Sequence, residues 1–279
     1  MVEPFEGSPE FRRLLQGDGA DLARLALEIA GDAGPGLDPG PYLAAIDGYA
    51  ERVRDRCPEG ASLRAILGQI NWVLFVEEGF RGNDEDYYDP ANSYLDRVID
   101  RKLGIPISLS ALYLAVADRV GLGPETAGVN LPGHFVVRAG RGDSTVFVDP
   151  FHEGAFLDRE GCERLVRSVT GQAVTLAPEQ LEPCPTAVLV ARMLRNLKAI
   201  YLRRGEFVEA LPVLQRLVAL LPDEPLERRD LGMTCLRADR PGAAIEPLAA
   251  YLDALPDADD APIVREALRQ ARRDVAERN

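Results

Sequence analysis

The sequence predicts an α+β protein with a helical N-terminal subdomain, a small antiparallel sheet and an α-helical tail. Three patterns favour this class: apolar residues recur at helical spacing early in the chain, short apolar/polar alternations follow, and the tail repeats at a fixed interval. The 279 residues exceed one ordinary domain of roughly 100–150 residues. We therefore expect one domain over 1–180, with its helical part at 1–121 and its sheet part at 122–180, and a second over 186–279.

Four helices are predicted at the front of the chain. In the third of them, Leu63, Ile66, Leu67 and Ile70 show the apolar spacing of one buried helix face. Segments rich in glycine and proline separate the helices. The expected ranges are 18–30, 41–56, 62–78 and 91–102.

The acidic segment 82–90 joins the last two of these helices. Counted from Asp84, its sixth position is Asp89 where a calcium-binding loop needs glycine, and its twelfth is Leu95 where such a loop needs glutamate. We expect a solvated connection in which Tyr87 or Tyr88 packs inward.

A further helix is expected to begin near Pro106 and to end before Gly121, because proline suits the first helical turn and glycine suits the end. Short strands are then predicted over 125–130, 134–138 and 145–148, and a tight hairpin connection joins the last two. The expected order is therefore a helix followed by antiparallel strands.

Two motifs at these strands contain the candidate catalytic residues. Pro132-Gly133-His134-Phe135 and Val148-Asp149-Pro150-Phe151 supply a histidine and an aspartate on neighbouring strands. They are two members of a Cys-His-Asp arrangement, in which the carboxylate orients the imidazole that activates a thiol. The third member is missing, because residues 104–110 read Gly-Ile-Pro-Ile-Ser-Leu-Ser where a cysteine is expected to open the helix.

The tail repeats a set of positions at an interval of 34 residues, which is the period of tetratricopeptide repeats. Ala210 and Ala244 are the small residues that permit close helix contact, and Pro222 and Pro256 follow the second helix of each pair. The remaining pairs are Tyr201 with Cys235, Leu214 with Leu248, Leu217 with Tyr251, and Leu221 with Leu255. The segment 261–275 is expected to form a capping helix.

Taken together, segments 92–95, 101–109, 132–135 and 149–151 resemble the bacterial SirB-one family, whose members pair a transglutaminase-like, papain-like domain with tetratricopeptide repeats. The resemblance implies that His134 is the base and Asp149 its orienting partner. It places the nucleophile slot nearest Ser108, within a window from Pro106 to Ser110. It also implies a regulatory or accessory role.

Ser108 has two interpretations. As a helix cap, its hydroxyl accepts hydrogen bonds from backbone N–H groups two or three residues further on, which is worth about 1 kcal/mol. As a nucleophile, it stays protonated at neutral pH and needs His134 to remove its proton. We favour the cap. Cys57 is not expected to be catalytic, because Pro58 follows it and its helix ends there.

Four further residues, Ser110, Asn130, Phe135 and His152, are expected to line a pocket around His134 and Asp149. His152 is expected to face solvent or to cap a loop. The sequence therefore favours a non-catalytic, regulatory protein-binding or peptide-binding factor. The alternative is an acyl-transfer enzyme or hydrolase that acts on protein or peptide substrates through Ser108, His134 and Asp149.

The composition of the chain limits the classes of partner and cofactor that we expect. A net charge of −13 disfavours nucleic acid and anionic membrane surfaces. Four scattered cysteines and two histidines favour neither a zinc site nor a disulfide framework, so no metal or cofactor is predicted. No apolar run approaches the roughly 20 residues that span a bilayer, and residues 1–6 lack the features of a secretory signal, so we expect a cytoplasmic protein.

Overall fold

The computed structural model describes residue 5 and residues 7–34 and 36–278. The prediction about a signal segment falls on residues 1–6, most of which lie outside the described residues, as does Pro35 of the first loop. The chain forms two compact units that divide between Met193 and Leu194, inside one helix. The predicted domain division at 181–185 stays a prediction.

The predicted fold class is confirmed. The front of the chain is helical, a small antiparallel sheet follows, and the tail is a helical repeat region. The helices are α1 Pro9–Gln16, α2 Leu22–Gly31, α3 Gly40–Arg56, α4 Leu63–Asn71, α5 Leu95–Arg101, α6 Pro106–Ala117, α7 Arg159–Thr170, α8 Thr186–Arg204, α9 Phe207–Leu220, α10 Pro225–Arg237, α11 Pro241–Ala254 and α12 Ala261–Arg278. The strands are β1 Arg81–Gly82, β2 Leu103–Gly104, β3 Thr126–Leu131, β4 His134–Ala139, β5 Val146–Asp149 and β6 Ala155–Leu157.

Helix starts follow the capping residues more closely than the apolar pattern. The predicted helix from 18 begins at Leu22, because the Asp21 carboxylate accepts from the backbone N–H groups of Ala23 and Arg24. The predicted helix from 91 is divided into a short 3-10 turn, Pro90–Asn92, and α5. The helix predicted over 62–78 is α4 continued by a π-helical turn, Trp72–Glu77.

Strands β3, β4, β5 and β6 form one antiparallel sheet in that order, while β1 and β2 pair in parallel. Leu131 lies opposite His134, so a two-residue turn of Pro132 and Gly133 joins β3 to β4. Gly133 adopts φ of 71°, a left-handed conformation that glycine tolerates best. A Cβ at this glycine would come within 2.9 Å of the Val169 side chain on α7.

One face of this sheet packs on α7 and the segment after it. Val129, Leu131, Val136 and Phe147 meet Cys162, Val166, Leu176 and Leu181 in a buried cluster. Because side chains alternate along a strand, His134 and Asp149 belong to this same face, at the end of the sheet. Helix α6 packs against β4 and against the turn that follows β5.

The tail follows the predicted repeat. Pro222 and Pro256 come two residues after α9 and α11 end, and Ala210 and Ala244 are fully buried. Gly232 on α10 permits the closest approach, since a Cβ there would lie 2.5 Å from Leu248 on α11. The predicted capping helix is α12.

All four cysteines of the chain are free. Within the described residues, none of the helices combines the length and the apolar character needed to cross a membrane.

Candidate functional site

The centre of the site is a carboxylate that two imidazoles share. Asp149 Oδ1 accepts from His134 Nε2 at 2.9 Å and from the backbone N–H of Phe151 at 3.1 Å, and its Oδ2 accepts from His152 Nδ1 at 2.6 Å. The His134 and Asp149 side chains are both 2% exposed, whereas the His152 side chain is 53% exposed. The structure thus brings together the two residues that the sequence pairs, and adds His152.

This arrangement fixes the charge of Asp149. Burial alone raises the pKa of its carboxyl group, but the hydrogen bonds from His134 and His152 more than offset burial and lower the pKa to about 2. The bond to Asp149 raises the pKa of His152, burial opposes that rise, and the charge of Asp84 adds to it. An ionised Asp149 only accepts hydrogen bonds, so Nε2 of His134 carries the hydrogen of this bond.

Aromatic rings pack against the trio formed by His134, Asp149 and His152. The His134 ring packs edge-on to Phe151 at 5.9 Å between centroids and stacks with His152 at 5.8 Å. Phe151 also meets Tyr87 at 6.2 Å, so one of the two tyrosines of the acidic segment packs inward as expected. A cavity of about 470 Å³ opens beside His152, and Asp84 is among its lining residues.

Ser108 makes its hydrogen bonds to backbone groups and not to His134, Asp149 or His152. Its Oγ accepts from the backbone N–H of Ile105 at 3.0 Å and donates to the carbonyl of Asn92 at 2.5 Å, and the residue is fully buried. The predicted cap uses N–H groups two or three residues further on, whereas this hydroxyl reaches back to the residue before the helix. The reason is that α6 begins at Pro106, which makes Ser108 its third residue.

Two predicted pocket residues belong to the core instead. Phe135 is fully buried on the sheet face opposite His134, because adjacent residues of a strand point to opposite faces. Ser110 is also fully buried, and its hydroxyl donates to the Phe135 carbonyl at 3.4 Å. The expectation that these two line the pocket is wrong.

Asn130 is exposed, and its side-chain oxygen accepts from Nη1 of Arg192 on α8. The same Nη1 donates to the carbonyl of Leu131 at 3.0 Å, next to the turn that leads into His134. Sequence reasoning missed Arg192, because it lies 58 residues after His134 and no local motif marks it.

No thiol in the chain is activated. Burial raises the pKa of Cys57, Cys162, Cys184 and Cys235, in the case of Cys162 to about 12, where the Asp149 charge contributes. A catalytic cysteine needs the opposite shift, toward the thiolate. Cys57 follows the last residue of α3, as the sequence predicts.

His134, Asp149 and His152 are also the residues that could hold a metal ion, since their donor atoms lie within 4.8 Å of one another. Both nitrogens already point at carboxylate oxygens at hydrogen-bond distance, and this alone accounts for the short separations. The expectation that the protein uses no metal or cofactor stays a prediction.

Comparison with known proteins agrees with this architecture. A family model described as "Transglutaminase-like superfamily" matches residues 41–195, and one described as "Tetratricopeptide repeat" matches residues 197–269. The resemblance inferred from the sequence motifs is thereby confirmed for both parts of the chain.

Similar proteins occur in bacteria and in animals. A UPF0162 protein of Xylella fastidiosa strain 9a5c is 34% identical over 247 residues, which cover 88% of this chain and 87% of that protein. A UPF0162 protein of Pasteurella multocida is 26% identical, with 82% and 86% covered. "F-box only protein 21" of Mus musculus is 36% identical over 148 residues, which are 50% of this chain and 22% of that protein. No solved structure matches the chain.

Proposed function

This chain belongs to the transglutaminase-like superfamily and to the family of UPF0162 proteins, and on that premise we propose that it is a non-catalytic, regulatory protein-binding factor of the cytoplasm. It binds a peptide segment of its partner at a surface formed by Tyr87, Asn130, His152 and Arg192, which we call the recognition surface. The buried His134–Asp149 pair supports this surface from beneath. The repeat tail contributes further protein contacts.

The burial of the catalytic-type residues carries this proposal. A general base must come within hydrogen-bond reach of the group it deprotonates, and His134 is 2% exposed. The rings of Phe151 and His152 pack against the His134 imidazole. His152, by contrast, is half-exposed and held in one orientation by Asp149. This is an arrangement suited to binding a ligand, because the exposed ring is positioned before the ligand arrives.

The position of Ser108 gives independent support. A hydroxyl has one hydrogen, and that of Ser108 is directed at a backbone carbonyl. It therefore cannot also donate to an imidazole, which is the step that activates a serine nucleophile. The alternative function, acyl transfer or hydrolysis by Ser108, His134 and Asp149, requires the Ser108 hydroxyl to give up this hydrogen bond.

A peptide selection tests the binding function. Random peptides displayed on phage are selected on the immobilised full chain, and the enriched peptides are synthesised and titrated. We expect His152→Ala to weaken binding at least tenfold, and Trp72→Ala to leave it unchanged. Trp72 is a matched control, since it is 48% exposed in the same compact unit and lies outside the recognition surface.

Activity probes test the catalytic alternative. The full chain is exposed to a fluorophosphonate and to an iodoacetamide under native conditions. We expect no labelling that depends on His134. Labelling of the wild-type chain that disappears in both Ser108→Ala and His134→Ala would overturn the non-catalytic function.

A further inference from the structure

Arg192 is an unusual cation within the recognition surface. It is half-buried on α8, and burial lowers the pKa of its guanidinium. The titratable groups that interact with it are Tyr87 and Cys184, and no carboxylate of the described residues is among them. Arg138, which is also half-buried, is paired with Glu182 at 2.7 Å.

An unpaired, partly desolvated charge is costly, and proteins retain one mainly where a ligand supplies the counter-charge. The fold holds Arg192 in place through Nη1 alone, whose two hydrogens go to Asn130 Oδ1 and to the Leu131 carbonyl. Nε and Nη2 make no hydrogen bond to the described chain. They are also not among the buried atoms left without a partner, so they reach solvent.

The open edge of the guanidinium presents two parallel N–H donors. This geometry matches the two oxygens of a carboxylate, which the Nε and Nη2 edge of arginine binds in a bidentate manner. A single arginine on a chain with a net charge of −13 is a weak site for a phosphate dianion or a nucleic acid. A monoanion of planar shape is the better fit.

Tyr87 links Arg192 to the aromatic rings around the two histidines. Tyr87 interacts electrostatically with Arg192, and its ring contacts Phe151, which in turn packs against both His134 and His152. A chain of interactions therefore connects Arg192 with His152 inside one compact unit. A ligand that spans it meets a cation at one end and an imidazole at the other.

We propose that Arg192 is a carboxylate-binding residue that selects peptides carrying a free C-terminal carboxylate or an acidic side chain at this position. The inference rests on the proposed peptide-binding function and names the chemistry of its ligand. Arg192 donates Nε–H and Nη2–H to the carboxylate, and Asn130 holds the guanidinium in the orientation that this needs.

Nuclear magnetic resonance on the full chain labelled with ¹⁵N tests this. The Nε–H signal of Arg192 is identified by its loss in Arg192→Gln. The chain is then titrated with N-acetylglycine, which carries a terminal carboxylate, and with N-acetylaspartic acid amide, which carries an acidic side chain. Their neutral matches are N-acetylglycinamide and N-acetylasparagine amide, and inorganic phosphate is a separate arm.

We expect saturable shifts of the Arg192 Nε–H and Asn130 side-chain amide signals with at least one carboxylate, and none with its neutral match. The Asn130 shift should disappear in Arg192→Gln, weaken at least tenfold in Arg192→Lys, and persist in Arg138→Gln, whose guanidinium is already paired. No shift with either carboxylate, or a shift with phosphate alone, overturns the proposal. The wild-type titration decides this even if Arg192→Gln fails to fold.

The two proposals fail separately. Selected peptides that bind through His152 but tolerate C-terminal amidation, removal of acidic residues and Arg192→Gln would uphold peptide binding and overturn the carboxylate contact. Carboxylate shifts in a chain that enriches no peptide would uphold the carboxylate site and overturn the peptide-binding function.

Discussion

Ser108→Ala should destabilise the first compact unit strongly while removing no activity. The substitution leaves the buried Ile105 N–H without an acceptor, which costs about 1–3 kcal/mol, and removes a donor from the Asn92 carbonyl, which costs about 1 kcal/mol more. We therefore expect a loss of about 3 kcal/mol in the free energy of unfolding. With an m-value of about 3 kcal/mol/M, the urea midpoint falls by about 1 M.

Ser110 provides a control for this experiment, and Trp72 provides a fluorescent probe of unfolding. Ser110 is equally buried on the same helix but makes one long hydrogen bond of 3.4 Å, so Ser110→Ala should cost less than about 1 kcal/mol. Trp72 is the single tryptophan of the chain and lies in the first unit, so its fluorescence follows the unfolding of that unit alone.

Two results would refute this reasoning. Equal midpoints for Ser108→Ala and Ser110→Ala would mean that the hydrogen bonds of Ser108 contribute nothing beyond packing. An unchanged midpoint for Ser108→Ala, together with loss of a measurable hydrolytic activity, would assign the hydroxyl to catalysis.

Three further outcomes are expected. Asp149 stabilises the fold at neutral pH, because its folded pKa of about 2 lies below the ordinary 3.8. About 2.5 kcal/mol is lost as the pH falls from about 5 to about 1, and the urea midpoint of Asp149→Asn should vary less over that range. Gly133→Ala should lower the thermal midpoint more than Gly171→Ala does, since both glycines have φ of 71° but only the first would clash with α7. Gly232→Ala should lower the free energy of unfolding, measured by calorimetry, by about 1–3 kcal/mol, because the new methyl group overlaps Leu248. An unchanged transition in Gly133→Ala or in Gly232→Ala would contradict the packing described at that glycine.

Local sequence signals predicted the elements with strong periodicity and missed the weak ones. The helical front, the β3–β4–β5 strands and the repeats all follow from apolar spacing and turn residues. Helix α7 was missed because charged residues interrupt its few apolar positions. The two-residue strands β1 and β2 were missed because their pairing is set by the tertiary structure around them.

Residues of the candidate site could be predicted where a short sequence motif indicates both the residue and its expected role. His134 and Asp149 each follow from such a motif. The error over Phe135 came from proximity in sequence, although strand alternation already places neighbours on opposite faces. Arg192 could not be predicted, because only the packing of α8 against the end of β3 brings it to the site.

The shared carboxylate has a practical consequence for chemical modification. Both histidines of the chain belong to this trio, one nearly inaccessible and one half-exposed. A reagent that acylates imidazoles therefore meets one reactive ring on the intact protein and a second only after local opening. Mass spectrometry can thus follow local opening around His134 by measuring the fraction of chains that carry two acyl groups instead of one.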